Sequence, residues 1–577
     1  MTDNSLDRQL TQLETCRYSF GRREAARVVK LLKRLDAARF PDSPSLIRFH
    51  EALLFLRAFP QGPSVVRVTE RILNSFHKKV EALRKASADM DDFDTFEVSG
   101  IAGTQMEDTL SFDVANWLIN NRRMRNKVEV AWENYEPGRE LGTTGPRFIP
   151  LLEDDAYVEA DTPWRRWLEA AAGKKRVPAW LISRFEHLPL SARQQAELYE
   201  SLRVPLRWSL ENSVISRTRT WKPIRNVFYH RIFYHMTPLI SRSQVSLAAE
   251  LARRPPQLTR LSRKQGEQVM DMIREVMLVR YRELYGTTLG DPASVMRAEV
   301  GRGVEIYLWN LPPDRRLPLR AYVAGLTLKN GVPINYIEAI GLCEWMEVGF
   351  NTFYTFRGGE AGWIYAQVLR CLCHRMGTTC VSVYPYQLGH ENEEAIESGA
   401  FWFYRKLGFR PGRTELQQLA EREEQKIAAD KNYRTPARTL KRLAAGHVFY
   451  EIPGSEVGAW DRFSTRNIGL RVNRRMARHF GRDAVLMREH SKRALERILF
   501  PRSGGVSTSS WTPLEKAVFE KFALALADVP ELRAWTREEK EDLVRIIRAK
   551  GKQDEMLYLH LMQRHRRLRR ALLALGS

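Results

Sequence analysis

A glycine-rich turn between a strand and a helix is the first place in this chain where residue types and spacing suggest chemistry. Residues 350–356 are predicted to end a strand, and the run RGGEAG at 357–362 follows. Apolar residues then recur at helical spacing up to Gly377, which suits a C-terminal cap. Glycines let the backbone approach a ligand, and the N–H groups of a helix's first turn favour an anion. A pyrophosphate site is therefore predicted, the alternative being a turn that only connects strand to helix. Its candidate residues are Arg357, Gly358, Gly359, Ala361 and Gly362.

A second motif lies near residue 404. Residues 397–409 are predicted to form a helix, whose end reads Phe403-Tyr404-x-Lys406-x-Gly408-Phe409. This ending resembles the fourth-helix signature of the Gcn5-related N-acyltransferase (GNAT) superfamily, and RGGEAG resembles that family's pyrophosphate loop. The resemblance covers roughly residues 260–415. It implies a domain that takes acetyl-CoA or another acyl-CoA as substrate and transfers the acyl group to an amine, an acceptor of unknown identity.

The resemblance also implies roles for three side chains. Tyr404 would be the general acid that protonates the leaving thiolate, the alternative being a packed aromatic residue. A carboxylate on the strand before the loop often serves the family as general base, which points to Glu344 and Glu347. Because residues three apart on one strand face opposite sides, at most one of the two would face a given cleft. Each has the alternative interpretation of a solvated strand residue.

Two acidic residues depart from the family pattern. Glu360 stands where the pattern has Gly or Ala, and Glu397 stands where Asn is common. A carboxylate in the loop is expected to repel a pyrophosphate placed nearby. A second hypothesis is therefore a catalytically degenerate GNAT-like protein that acts as a nucleic-acid or ribonucleoprotein binding module.

Two basic stretches supply the residues for that second hypothesis. Between 215 and 243, cations are interleaved with aromatic residues, as in proteins that hold single-stranded nucleic acid. The alternative is a buried helix face with a basic outer face. A denser cluster occupies 564–570, where the alternative is a solvated end of the C-terminal helix. The candidate nucleic-acid contacts are Arg217, Arg219, Lys222, Arg225, Arg566, Arg567 and Arg570.

The composition limits the classes of protein that fit. The chain has 92 Lys and Arg against 69 Asp and Glu, a net charge of +23, which either attracts polyanions or is a property of a solubilising surface. Its five cysteines do not have the number or spacing of a disulfide scaffold or a zinc site, so no metal is expected. No apolar run is long enough to span a membrane, and the first residues lack a secretory pattern. A cytoplasmic protein is expected.

The hydrophobic spacing predicts an α+β protein, with a central mixed-sheet GNAT-like α/β domain flanked by mainly helical N-terminal and C-terminal regions. A hairpin is expected around Asn330-Gly331, the strongest short-range hairpin signal. The predicted division is a helical N-terminal domain at 1–135, a linker at 136–162, a basic and aromatic helical region at 163–258, the GNAT-like domain at 259–415, and a charged helical region at 416–577.

Overall fold

The chain begins with a layer of five helices. The computed structural model describes residues 3–124, 126–135, 143–149, 164–173, 175–210, 215–219, 231–501 and 508–577. The first helices are α1 (Asp3–Cys16), α2 (Arg22–Ala37), α3 (Ser43–Ala58), α4 (Pro63–Asn74) and α5 (Phe76–Lys85). They pack through apolar stripes, and α3 is buried around most of its circumference because Leu and Phe residues occupy several of its faces.

A small antiparallel sheet with its own apolar core follows. Its elements are β1 (Gln105–Thr109), α6 (Phe112–Asn120), β2 (Val128–Val130), α7 (Trp164–Ala172), α8 (Val177–Glu186), α9 (Ala192–Ser201) and β3 (Pro205–Ser209). The strand order is β1-β3-β2. β1 and β2 precede the segment predicted to be a linker, and β3 follows it. The strands on both sides of 136–162 therefore belong to one sheet and one core.

The centre of the molecule is a large mixed sheet. Its first elements are α10 (Leu247–Ala252), β4 (Thr259–Arg260), α11 (Arg263–Leu278), α12 (Tyr285–Thr288), β5 (Met296–Gly301), β6 (Val304–Asn310), β7 (Ala321–Lys329), β8 (Val332–Leu342) and β9 (Trp345–Thr352). The predicted hairpin between β7 and β8 is confirmed. Asn330 and Gly331 have φ of 49° and 79°, the left-handed conformation that a tight hairpin turn needs.

The second half of the sheet contains its one parallel strand pair among the described strands. The elements are α13 (Ala361–Met376), β10 (Cys380–Val383), α14 (Pro385–Leu388), α15 (Glu393–Glu397), α16 (Ala400–Arg405), β11 (Arg410–Pro411), α17 (Thr414–Ala429), α18 (Ala437–Leu443) and β12 (Val448–Glu451). The strand order is β11-β12-β10-β9-β8-β7-β6-β5-β4. β9 and β10 are parallel and joined by α13, whereas the other pairs are antiparallel. The parallel pair thus requires the crossover helix that the sequence predicted.

Two predictions about this half of the sheet were wrong. The segment 397–409 is not one helix, because Gly399 takes a left-handed conformation (φ 66°) and separates α15 from the six-residue α16. The region beyond 415 is not wholly helical, because β12 inserts between β10 and β11. Gly377 caps α13 in the left-handed conformation, as predicted.

Six further helices follow β12. They are α19 (Thr465–His479), α20 (Ala484–Leu499), α21 (Pro513–Leu526), α22 (Arg537–Lys550), α23 (Glu555–Arg564) and α24 (Arg566–Gly576). One hydrophobic cluster runs from the N-terminal helices through the large sheet to these helices. The protein is therefore a mixed α/β structure with a large mixed sheet and many helices, as predicted at that level. Within the described ranges, no helix is long and apolar enough to cross a membrane.

Candidate functional site

A cleft lies at the end of β9, beyond the residues that pair with β10. β9 and β10 share only three residue pairs, the last of them Glu347 with Ser382. The rest of β9 continues to Thr352 without a β10 partner, so this edge of the strand offers unpaired backbone groups. A cleft of about 240 Å³ lies there, bounded by the end of β9, the start of α13 and α16.

The cleft wall is aromatic, and Tyr404 is part of it. Phe350, Phe353 and Phe403 also line it. The ring of Tyr404 stands edge-on to Tyr365 at 5.6 Å between centroids. Burial raises the pKa of Tyr404, so its hydroxyl keeps its proton at neutral pH. A buried, protonated phenol beside a cleft can donate a proton to a leaving group.

The five predicted loop residues lie in three different environments. Arg357 and Ala361 line the cleft. Gly358 and Gly359 face away and pack under the N-terminal helices: a Cβ on Gly358 would lie 2.2 Å from the Tyr18 hydroxyl, and one on Gly359 would lie 2.6 Å from the Phe59 ring. These glycines are needed for close packing between α13's entry turn and α1–α3. Gly362 lies against Arg242, whose Cγ would be 3.3 Å from an added Cβ.

Glu360 does not project as a free negative charge towards the cleft. Its side chain is 0% exposed and forms ion pairs with Arg302 and with the equally buried Lys329. It also accepts a hydrogen bond from the Ile240 backbone N–H at 3.1 Å. Burial alone would raise the pKa of Glu360, but these partners hold it below its ordinary value. The ion pairs of Glu360 with Arg302 and Lys329 explain how a Glu can occupy the loop.

Glu344 and Glu347 lie outside the cleft. Glu344 is in the turn between β8 and β9, where it accepts hydrogen bonds from Arg569 at 2.7 Å and from the Trp460 indole at 2.8 Å. Glu347 is on β9 and contacts Arg320 and His447 at 3.5 and 3.1 Å. Neither carboxylate is brought together with Tyr404.

The carboxylates that do line the cleft come from other segments. Glu394 belongs to α15 and pairs with Arg357. Glu97 comes from the polar segment between α5 and β1, far from the motifs in sequence. Sequence reasoning missed both, because proximity across a cleft has no periodic signal in the chain.

Three arginines line the inner part of the cleft. Arg217 is 3% exposed and donates to Glu51 at 2.9 Å and to Thr355 at 2.7 Å. Burial would raise the pKa of Glu51, but Arg217 and His50 lower it to about 2. Arg280 and Arg282 follow α11, and Arg282 lies 4.9 Å from the centre of the Phe96 ring. The sequence contains a signal for Arg280. This residue continues the apolar stripe of Val269, Ile273 and Val276, where a charged side chain is unusual.

A group of cations lies near the start of α13 and the end of α16, outside the set of residues that line the cleft. Arg242 packs on Gly362, and Lys406 follows α16. The pKa of Lys406 is lowered by partial burial and by the positive charges of Arg242 and Arg434. Among the described residues, none of these three has a carboxylate within salt-bridge distance. Arg242, Lys406 and Arg434 are called the outer cations below, and their mutual repulsion favours a bound anion.

The predicted nucleic-acid residues do not form one surface. Arg217 is in the interior, and Arg219 is half-buried and donates to Asn74. Lys222 and Arg225 lie outside the described residues. Arg566, Arg567 and Arg570 are exposed, but they open α24 rather than end a helix. Arg567 pairs with Glu539 at 2.8 Å.

Comparison of this chain with protein-family models, with curated proteins and with solved structures gave no match.

Proposed function

We propose that the protein is a GNAT-like N-acyltransferase that takes acetyl-CoA or another acyl-CoA as its acyl donor. The observation that carries the proposal is the cleft at the end of β9 that has no β10 partner, where Tyr404 lies beside the first turn of α13. The motif resemblance selected RGGEAG and Tyr404 without any knowledge of that cleft. Arg357 and Ala361 of that run line the same opening as Tyr404, which supports the proposal.

Each part of an acyl-CoA has a matching feature of the chain. The unpaired edge of β9 after Glu347 can hydrogen-bond the amides of the pantetheine arm. The start of α13 and the outer cations suit the phosphates, because helix N-termini and cations both favour negative charge. The aromatic wall suits the apolar methylene groups. The Glu360 carboxylate is already neutralised by Arg302 and Lys329 and adds little repulsion.

The reaction would use Tyr404 as a proton donor. An amine nitrogen attacks the thioester carbonyl, the N–C bond forms, and the C–S bond breaks. Tyr404 donates its proton to the thiolate sulfur and regains a proton from solvent, while the base releases the amine proton to solvent. The raised pKa of Tyr404 keeps that proton available. The base that takes the amine proton is not Glu344 or Glu347 in this proposal, because both are engaged outside the cleft. Glu97 is the cleft carboxylate without a paired arginine side chain among the described residues, and it is the candidate base.

Calorimetry with acetyl-CoA tests the proposal. The double variant Lys406→Glu/Arg434→Glu is expected to weaken binding by about tenfold or more, because two charge-assisted phosphate contacts become repulsive. Arg438→Glu is the matched control, an exposed arginine on neighbouring α18 whose charge reversal should leave affinity nearly unchanged. No binding of acetyl-CoA or longer acyl-CoAs to the wild type overturns the proposal. An equal loss in the control would mean that only the general charge matters.

A further inference from the structure

Arg280 is a buried arginine placed against the cleft. It lies just beyond α11, on the apolar face of that helix, and is 4% exposed. Its guanidinium carbon is 4.1 Å from the centre of the Phe353 ring, and Phe353 also lines the cleft. One terminal nitrogen donates to the Val276 carbonyl at 2.7 Å. The side chain therefore has a fixed position, held by a ring below and one backbone contact.

The charge of Arg280 is not balanced by the protein. Across the described ranges, its Nε has no hydrogen-bond partner and no carboxylate lies within salt-bridge distance. The nearest acidic influence is Glu51, which is already bound by Arg217, Thr355 and His50. Burial and the neighbouring Arg217 lower the pKa of Arg280 well below its ordinary value. An arginine nevertheless stays charged in proteins, so this site holds an uncompensated cation.

A second buried arginine shows how the protein satisfies the hydrogen-bond donors of an arginine that has a structural role. Arg316 is 6% exposed, close to the value for Arg280. Its guanidinium donates to the backbone carbonyls of Lys550 and Gln553 at 2.7 and 2.8 Å, and to those of Leu311 and Lys552. The Glu555 carboxylate lies 3.9 Å away. The protein itself satisfies the donors of Arg316, whereas Arg280 lines the aromatic cleft and has an Nε without a partner in the described ranges.

We propose that Arg280 anchors an oxyanion subsite, so that the small-molecule ligand of the cleft carries a carboxylate or phosphate that lies against this guanidinium. A planar guanidinium over an aromatic ring is suited to hold two oxygens of such a group. Arg282, stacked on Phe96 at the same opening, adds a second cation on the approach. The assignment of the oxyanion to an acyl acceptor rests on the proposed function, but the subsite itself does not.

The two sources of the oxyanion can be told apart. If it belongs to the acceptor, loss of Arg280 leaves acetyl-CoA affinity unchanged and removes the response to carboxylate probes. If it belongs to the acyl donor, acetyl-CoA affinity falls together with the response to inorganic phosphate and pyrophosphate.

The test compares Arg280→Met with Arg316→Met in the full chain, since methionine keeps the length of the buried stem. The unfolding temperature is measured alone and with inorganic phosphate, pyrophosphate, succinate and acetyl-CoA in turn. We expect Arg280→Met to unfold no lower than the wild type without ligand, and to lose the upward shift that at least one probe gives the wild type. Arg316→Met should unfold well below the wild type and keep the shift. Arg280→Lys should bind the effective probe about tenfold more weakly, because an ammonium cannot make the two-oxygen contact.

Three outcomes overturn the subsite. They are a loss of stability in Arg280→Met as large as that in Arg316→Met, an equal probe shift in Arg280→Met and the wild type, and no shift of the wild type by any of the four probes. An absence of acetyl-CoA binding with an Arg280-dependent shift by succinate or phosphate sinks the acyltransferase proposal alone.

Discussion

The two sides of the turn at 357–362 treat charge in opposite ways. On the inner side, Tyr18 and Phe59 cover the glycines, and Glu360 is matched by Arg302 and Lys329. Elsewhere around the turn, Arg280 in the cleft and the outer cations near α13 and α16 have no carboxylate within salt-bridge distance among the described residues. The same chain thus neutralises the buried charges on the inner side of the turn and leaves these other cations without acidic partners. This contrast is the reason for proposing that the cleft binds an anion that the protein does not itself supply.

The largest expected effect comes from breaking the balance on the inner side. Glu360→Ala leaves Lys329 buried without its counter-ion, so the free energy of unfolding should fall by about 3–5 kcal/mol in urea denaturation. The control is Glu267→Ala, which removes a carboxylate from an exposed pair with Arg263 and should cost less than about 0.5 kcal/mol.

The double variant Glu360→Ala/Lys329→Met tests whether the buried lysine charge causes this loss of stability. Removing the lysine charge as well should restore part of the lost stability, because the uncompensated cation is then gone. A double variant no more stable than Glu360→Ala would mean that lost packing, rather than charge, dominates the inner side.

A smaller effect is expected at His235, which belongs to the same side. The ring is 1% exposed, lies among Phe20, Phe59 and Phe233, and has no hydrogen-bond partner for either nitrogen in the described ranges. The groups facing it are Lys329, Arg302 and Glu360. Burial, and then the Lys329 charge, lower the pKa of His235 to about 3.

The sign of the pH effect follows from that pKa. Between the unfolded value near 6.5 and the folded value, only the unfolded chain binds the proton, so His235 destabilises the native state increasingly as pH falls through that window. His235→Leu should therefore stabilise the protein by about 1 kcal/mol at pH 7.5 and by more at pH 5. Urea denaturation at both pH values measures the difference in the free energy of unfolding between the variant and the wild type. The exposed His390→Leu variant is the control. A stability difference between His235→Leu and the wild type that becomes smaller towards pH 5 would contradict this explanation.

Sequence reasoning succeeded where a local signal is strong. The β7–β8 hairpin and α13 with its Gly377 cap follow from turn chemistry and periodicity. The strand before the glycine turn was also predicted, but it ends at Thr352 and not at Phe356, because residues 354–356 form a 3-10 turn. Sequence reasoning failed at Gly399, because the apolar spacing on both sides continued a helical pattern that one left-handed residue interrupts. It also missed β12, a four-residue strand whose partners lie far away in sequence.

The candidate site was predictable only in part. Tyr404, Arg357 and Ala361 were found by motif, and they do line one cleft. Gly358 and Gly359 carry the same pattern, but they serve packing against α1–α3. A glycine required for close packing and a glycine required for a ligand look alike in sequence. Arg280 and Glu97 reach the cleft by tertiary packing, and only Arg280 left a trace, as a cation on an apolar stripe.

Hydrogen–deuterium exchange with and without acetyl-CoA tests most directly the claim that the cleft between β9 and β10 holds an acyl-CoA. We expect the backbone amides of residues 348–352, the unpaired edge of β9, and of residues 361–363, the first turn of α13, to exchange more slowly when acetyl-CoA is bound. The β6–β7 pairing, remote from the cleft, should exchange at the same rate in both samples. Saturating acetyl-CoA that binds in calorimetry but leaves both segments unprotected, or that protects only the helices after β12, would contradict it.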